Sequence, residues 1–570
     1  MDILPFDYFS GHETTNRGLL SLTRLISNDR EDPSSTTLLF DNGDFLQGNS
    51  LADLLAAERP AVNPAMALLN NIGFDAIALG NHEFNYGLDY LDKCLKQLEC
   101  PVLCANIERK TTTAIERPYT ILSRSIACSD EQDRQIKIGV IGAVTPQVPI
   151  WDRAVLKDEI KTHDIVKTVQ RFIPQIKAAG ADVIVALCHS GIGSERWSDG
   201  MENAVIPLAA IKGLDAIVAG HTHQIFPRAS TANEGTDNIQ GTPAVMPGAF
   251  GHFLGRIQID VQWENEGWNI VRKRAELKPA CETSDDVFLT PAISSAHKRT
   301  LLLQDEQVSV SNDVLSTHFS HVAPNAAMDA LAQSLVFGVQ SEGVPADLAE
   351  LPVIASVSPS VAGGQGGPDH FVHVTPGRVT RGDIAAIYPY PNQICSLVVS
   401  GQGVLDWLET SAACFHVLEP DLTQQPLIRS DRAPYQFETI FGLDYEIDLC
   451  AAAPRIRHLS RNGKPVATAD RFLMVTNSYR AYGGGGYVDP SKTPVRTTTR
   501  MTVRQAITDW LSGHQTKTFH SSWSFTPSAG TKAQFVTAPT ANIADLGQNS
   551  LHIERGAMNT EGFREFTLCL

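Results

Sequence analysis

The chain has 570 residues, 43% of them hydrophobic, and a formal net charge of -17. That length is too great for one typical domain and fits two or three with full cores. The charge excludes a protein that grips a nucleic-acid polymer, which needs a basic surface, and no run of about 18 apolar residues marks a membrane span. The ten cysteines contain no Cys-x-x-Cys pair and no disulfide framework, so they leave the compartment open. Cys188 falls inside an apolar strand and reads as a small hydrophobe.

In chain order, TLLFDNGD (37–44) is an apolar strand ending on Asp41, Gly43 and Asp44. The run Phe74–Leu79 stops on a glycine and delivers Asn81 and His82 within GNHEFNYG (80–87). KIGVIGAV (137–144) is a buried strand with no evident ligand at its end. DVIVALCHSGIG (182–193) ends on His189, and DAIVAGHTH (215–223) ends on His221 and His223. Open α/β sheets bind ligands at the carboxyl ends of their strands. Four of these segments therefore bring one carboxylate (Asp44), one amide (Asn81) and three imidazoles (His189, His221, His223) to one crevice, with His82 beside them. A histidine met singly reads as a satisfied core residue. Four strand ends sharing one chemistry point to a metal site.

Such ligands suit Zn, Mn, Co or Mg, and phosphate esters are commonly hydrolysed by two ions roughly 3.5–4 Å apart. Asp44 would bridge such a pair, and His82 would donate to the developing phosphoryl charge or the leaving oxygen. Bound ions would polarise the phosphoryl oxygens and lower the pKa of a bound water.

These motifs resemble the calcineurin-like metallophosphatase domain of the 5′-nucleotidase family, and within it the 2′,3′-cyclic-nucleotide phosphodiesterase branch. The discriminating residue is Asn85, where the 5′-nucleotidase branch has aspartate. An Asn carbonyl accepts from the imidazole N–H but adds no charge, so it orients His82 without stabilising the protonated ring. The resemblance implies Asp44 as bridging ligand, Asn81, His189 and His221 on one ion, and His223 on the other. It implies hydrolysis of 2′,3′-cyclic nucleotides to 3′-nucleotides and removal of the 3′-phosphate. The alternatives are a 5′-nucleotidase or UDP-sugar hydrolase, and a nucleotide-binding protein without turnover. Small nucleotides are the implied substrates, with no polymer or membrane partner, and a monomer in the periplasm is expected. The family opens with a strand carrying Asp-x-His just ahead of a stretch like LPFDYF (4–9), where this chain begins at Met1. That strand and its two ligands are expected upstream, removed by a start placed too late or a truncation in preference to the alternative, genuine loss of the strand. An export signal, of which no apolar leader is present, would go with them. As written, the second metal site is incomplete.

AVMPGAFGHFLGRIQIDV (244–261) resembles the strand pair closing the catalytic domain, expected over residues 1–278, with a linking helix over 279–304. Residues 305–570 read as α+β and resemble the family's nucleotide-recognition domain through YPYPN (388–392), PYQFETIFGLDYEID (434–448) and NSYRAYGGGGY (477–487). The resemblance implies a base clamped between Tyr435 and Tyr479; read without it, Tyr435 serves equally as a cross-strand packing residue. The glycine run 483–486 is a flexible turn or a close backbone approach to sugar or base. Relatives carry Phe-Lys and later Arg where Ser360, Val361 and Gln365 stand here, removing two cations. Arg381 and Arg480 are candidates to replace them, against the plainer reading of surface or structural arginines. Residues 526–548, rich in Ser, Thr, Ala and Gly, allow a loose tail, whereas GFREFTLCL (562–570) reads as a last strand. The fold class expected is α/β: a metallophosphatase sandwich, a linking helix, then the α+β domain.

Overall fold

Short apolar runs that lack a polar alternation belong in strands covered on both faces, and this governs the first half of the chain. The computed structural model describes residues 2–110, 114–228, 237–281, 288–513, 522–546 and 551–570. They fall into two compact units, Met1–Asp7 with Gly11–Thr300 and Tyr8–Ser10 with Leu301–Leu570. The helix expected over 279–304 spans Pro291–Gln304.

In the first unit, β1 (Phe40–Asp41), β2 (Ala76–Ala78) and β3 (Val102–Leu103) form a small parallel sheet. A second sheet is built on β4 (Tyr119–Ala127), β5 (Asp133–Val144), β6 (Val183–His189), β7 (Ala216–Ala219) and β8 (Thr242–Pro247). Strands β5 to β8 run parallel, in the order β8-β7-β6-β5, and β4 pairs antiparallel on β5. Every residue of β6 is buried. The two sheets face each other: Ala76, Ala78 and Leu103 share one core with Ile138, Val140, Val185 and Leu187. On the far side, the helix Ile165–Ala178 lays Val169, Ile173 and Ile176 against Ile184 and Ala186. Asp164 starts that helix by accepting from the Lys167 N–H at 2.8 Å. The stretch 244–261 supplies β8 and the start of a long hairpin, β9 (Phe253–Glu264) with β10 (Gly267–Pro279).

The second unit centres on a mixed sheet of β11 (Val353–Val357), β12 (Gln393–Ser400), β13 (Thr439–Phe441), β14 (Arg471–Asn477) and β15 (Val495–Thr502), in the order β13-β11-β14-β12-β15. Neighbouring residues in these strands point to opposite faces. Ala355, Ile394 and Val475 meet Leu331, Leu335, Ile507 and Trp510 of two helices. Ile354, Cys395 and Met474 meet Trp407 and Leu408 of the helix Gly401–Ala412. The chain closes with an antiparallel sheet of β16 (Lys532–Thr537), β17 (His552–Met558) and β18 (Arg564–Cys569). Part of the stretch read as a loose tail is therefore strand, while 547–550 lie outside the described residues. All ten cysteines are free, and among the described residues no helix is long and apolar enough to cross a membrane.

Arg480 is 1% exposed and Glu438 is fully buried. Arg480 Nε donates to Glu438 Oε1 at 2.8 Å, and Ser356 donates to the other carboxylate oxygen. Arg480→Ala strands a buried carboxylate and is expected to cost about 3–5 kcal/mol, read as an earlier urea transition of this unit. Pairing Arg480→Met with Glu438→Leu should recover most of that loss; an equal loss in the double variant would show that the ion pair is not its source.

Candidate active site

The loops after β1 and β2 carry the first half of the site and are bound to each other through Glu83. Its carboxylate, fully buried, accepts from the N–H groups of Asp44 (2.7 Å), Phe45 (2.7 Å), Leu46 (3.0 Å) and Gly80 (2.6 Å). Gly80 is required at this crossing, because a Cβ there would stand 2.3 Å from Asp44 Oδ1. Asp44 Oδ1 also accepts from the His82 N–H at 2.9 Å. Asp44, His221 and His223 all adopt positive φ, at 65°, 72° and 56°. Left-handed backbone at a non-glycine residue costs on the order of 1–3 kcal/mol and gathers at functional sites.

The second half comes from β6 and β7, so the residues expected in one crevice are delivered by strand ends of two sheets. His189 ends β6, and its Nδ1 bonds the Asn42 carbonyl at 2.7 Å. That bond makes Nδ1 the protonated nitrogen and leaves the Nε2 lone pair. Nε2 is buried without a hydrogen-bond partner, yet lies 3.0 Å from Asp44 Oδ2. His221 repeats the pattern. Its Nε2 lies 2.8 Å from Glu202 Oε1, and its Nδ1 lies 2.9 Å from Asn81 Oδ1. With Nε2–H given to Glu202, Nδ1 and Asn81 Oδ1 are two acceptors facing each other. Two such acceptor pairs need a cation or an added proton between them. The donor set of two imidazoles, a carboxylate and an amide oxygen fits a borderline divalent ion. The rings of His189 and His221 meet edge to face at 5.8 Å. His223 is exposed, with its ring 6.0 Å from that of Phe250.

Without a cation, a proton takes its place. Burial pushes the His189 imidazole down, but the Asp44 carboxylate and the bond to Asn42 outweigh it and raise the ring to about 9. The same partnership holds Asp44 well below the ordinary carboxylate range despite burial.

His82 lies beside these groups. Its Nδ1 is 2.6 Å from Asn85 Oδ1, and Asn85 Nδ2 donates to Asp152 Oδ1 at 2.9 Å. Because Asp152 is an acceptor, the amide must turn its oxygen toward His82. Burial, offset in part by the bond from Asn85 and by His82, pushes the Asp152 carboxyl up to about 7. Trp151 stacks on His221, with ring centroids 5.5 Å apart and planes within 17°. Sequence reasoning passed over Trp151, Asp152 and Glu202. The first two follow β5, the strand with no ligand at its end, and Glu202 sits in a polar loop where an acid looks solvated. Glu83 was inside the motif, but its backbone partners leave no trace in sequence.

In the second unit, Tyr435 lies in a short helical turn, Pro434–Gln436, and Tyr479 opens another, Ser478–Ala481. Both are half-buried. Arg480 joins the two segments: Nη2 donates to the Tyr435 carbonyl at 2.9 Å, and the guanidinium carbon lies 5.3 Å from the Tyr479 ring centroid. Arg480 is therefore a buried strut and not a replacement cation, and Arg381 pairs on the surface with Glu306. In the glycine run, a Cβ on Gly484 would come within 2.6 Å of the Tyr479 ring. The close approach is to that tyrosine.

Comparison with known proteins agrees with this architecture. Residues 16–225 match the calcineurin-like phosphoesterase family and residues 326–490 the 5′-nucleotidase C-terminal domain. The chain is 31% identical to the trifunctional nucleotide phosphoesterase protein YfkN of Bacillus subtilis over 100% of its own length, spanning only 41% of that relative. It is 34% identical to the 2′,3′-cyclic-nucleotide 2′-phosphodiesterase/3′-nucleotidase of Salmonella typhimurium, covering 85% of this chain and 80% of the relative. A crystal structure of a putative 5′-nucleotidase from Staphylococcus aureus has the same fold, with a TM-score of 0.74 at 24% identity over 92% of this chain and 97% of that one. Two matched domains in the family's order, with a relative covered over four-fifths of its length, place the chain in the 5′-nucleotidase family of metal-dependent phosphoesterases.

Proposed function

We propose that the chain hydrolyses 2′,3′-cyclic nucleotides to 3′-nucleotides and then releases the 3′-phosphate, using divalent ions held by Asp44, Asn81, His189 and His221, with His223 serving a second ion. The observation that carries the metal reading is His189 Nε2, buried without a hydrogen-bond partner 3.0 Å from Asp44 Oδ2, with His221 Nδ1 and Asn81 Oδ1 meeting at 2.9 Å beside it. The substrate class is supported by Asn85 within GNHEFNYG and by the activity named for the Salmonella relative. Action in the periplasm as a monomer belongs to the same proposal and rests on resemblance.

Divalent ions, when bound, polarise the phosphoryl oxygens and make hydroxide available near neutral pH. The chain's residues do the rest. Glu83 holds the Asp44 backbone N–H, and the His82 N–H donates to the Asp44 carboxylate. Glu202 and Trp151 hold the plane and tautomer of His221. With Nδ1 of His82 committed to Asn85, the ring exchanges a proton with the phosphoryl group or leaving oxygen at Nε2. Asp152 holds Asn85 in the orientation this needs. Tyr435 and Tyr479 offer faces for base stacking, worth roughly 1–3 kcal/mol per base and tolerant of any base.

A substrate panel separates the readings. Turnover of 2′,3′-cyclic AMP and 3′-AMP with Mn, well above that of 5′-AMP and UDP-glucose, is expected; the reverse order would assign a 5′-nucleotidase or UDP-sugar hydrolase. Nucleotide binding without turnover of any of them would leave a binding protein. Asp152→Ala should lower kcat by about 10–100-fold, as loss of an outer-shell partner commonly does, with metal content and KM unchanged. A rise in KM or a loss of metal with kcat unaltered would remove Asp152 from the His82 assembly.

Metal binding should also release a proton. The His189 ring is raised above its ordinary value, so in the metal-free protein its stabilising charge is present below about pH 6.5 and is lost as pH rises through about 9. An ion must displace that proton, so apparent affinity is expected to rise about tenfold per pH unit between 7 and 8. Equal affinities at the two pH values, measured by titration calorimetry, would contradict the assignment of His189.

A further inference from the structure

A second cluster of metal-ligating groups lies in the C-terminal unit and takes no part in the proposed chemistry. His318 follows the strand Leu315–Ser316, which pairs antiparallel with His373–Val374 in a register that sets Ser316 opposite His373. Asp545 comes from the turn Ile543–Leu546, far along the chain. The rings of His318 and His373 are stacked, with centroids 4.8 Å apart and planes within 1°. Asp545 Oδ2 stands 3.6 Å from the Nδ1 atoms of both. The three ligand atoms lie within 4.8 Å of one another.

These distances fall between two ordinary arrangements. An N–H···O hydrogen bond spans about 2.7–3.2 Å, so 3.6 Å is too long for one. The His318 side chain is 2% exposed, and its Nδ1 and Asp545 Oδ2 are both buried without a hydrogen-bond partner. Buried polar atoms are otherwise almost always hydrogen-bonded, so two orphans facing each other call for a partner. A tetrahedral ion with donors at ~2.1 Å sets those donors ~3.4 Å apart, close to the two 3.6 Å His–Asp separations, and the more exposed His373 ring would turn out of its parallel stack on His318 to aim Nδ1 at the same ion.

We propose that His318 Nδ1, His373 Nδ1 and Asp545 Oδ2 form a separate site for a divalent cation of the zinc class. Two imidazoles and one carboxylate are a donor set suited to zinc, cobalt or nickel and poorly suited to calcium or magnesium. Three protein donors leave a fourth position for water. The His373 side chain, 34% exposed, gives that position access to solvent. The ion would fasten the turn that leads into β17 and β18 to the strand pair Leu315–Ser316 and His373–Val374. Thr537, at the end of β16, already donates to the His318 carbonyl, so the same point receives both ends of that connection. The role is structural and independent of substrate.

The test uses the full chain, stripped with chelator and dialysed against zinc chloride. Zinc per chain is measured by mass spectrometry for the wild type, His373→Gln and Asp545→Asn. The expected result is one zinc fewer in each variant, with hydrolysis of a chromogenic phosphodiester retained and the zinc-dependent rise in Tm reduced. Equal zinc content in all three proteins would overturn the proposal, as would a change in Tm that is the same with and without zinc. If the variants do not fold, zinc-edge anomalous diffraction from wild-type crystals decides. A peak bounded by the three named atoms supports the site, and none there while the catalytic site is loaded refutes it.

Discussion

The site hangs on one buried carboxylate. Glu83 accepts from four backbone N–H groups drawn from the two loops that follow β1 and β2. Burial and the neighbouring Asp44 charge push the Glu83 carboxyl up, and the backbone N–H bonds oppose that shift. The same bonds hold the left-handed backbone at Asp44 in place. Without Glu83, four buried donors would be left open and Asp44 would relax out of the crevice. The glycine at position 80 allows this crossing, since any side chain there would meet the Asp44 carboxylate.

With the loops fixed, the second half of the site is set by which nitrogen each imidazole commits. Asn42 takes the Nδ1 proton of His189, and Glu202 takes the Nε2 proton of His221, so each ring turns a lone pair toward an oxygen. The outcome is a crevice in which ring nitrogens face oxygens, a polarity that a bound cation or an added proton satisfies. The strained φ values of His221 and His223 belong to the same requirement: the turn after β7 must deliver two rings within three residues.

Much of this was legible in the sequence, and the part that was not has physical causes. Buried parallel strands announce themselves as unbroken apolar runs, and ligand-type residues at their ends mark the crevice, so Asp44, Asn81, His189 and His221 could be named without coordinates. What sequence does not encode locally is the partner of a partner. Trp151 and Asp152 follow a strand that ends without a ligand, and they reach the site only because the following segment folds back over His221. Arg480 could be read as a replacement cation or as a surface or structural arginine, and only its carboxylate partner, Glu438, buried beside it, decides for the structural reading. His318, His373 and Asp545 have no spacing that connects them, because a strand pair and a distant turn bring them together.

The substitution of asparagine for aspartate at position 85 follows from the same logic of indirect partners. A carboxylate in contact with His82 would favour the charged imidazole directly. Here the amide stands between, and the carboxylate is displaced by one residue, to Asp152. The amide passes on orientation and, having no charge, only a weakened field. The amide fixes the plane of the ring through its oxygen and is itself held by the Asp152 carboxyl, so the charge stands one side chain further from the imidazole than a carboxylate at position 85 would place it.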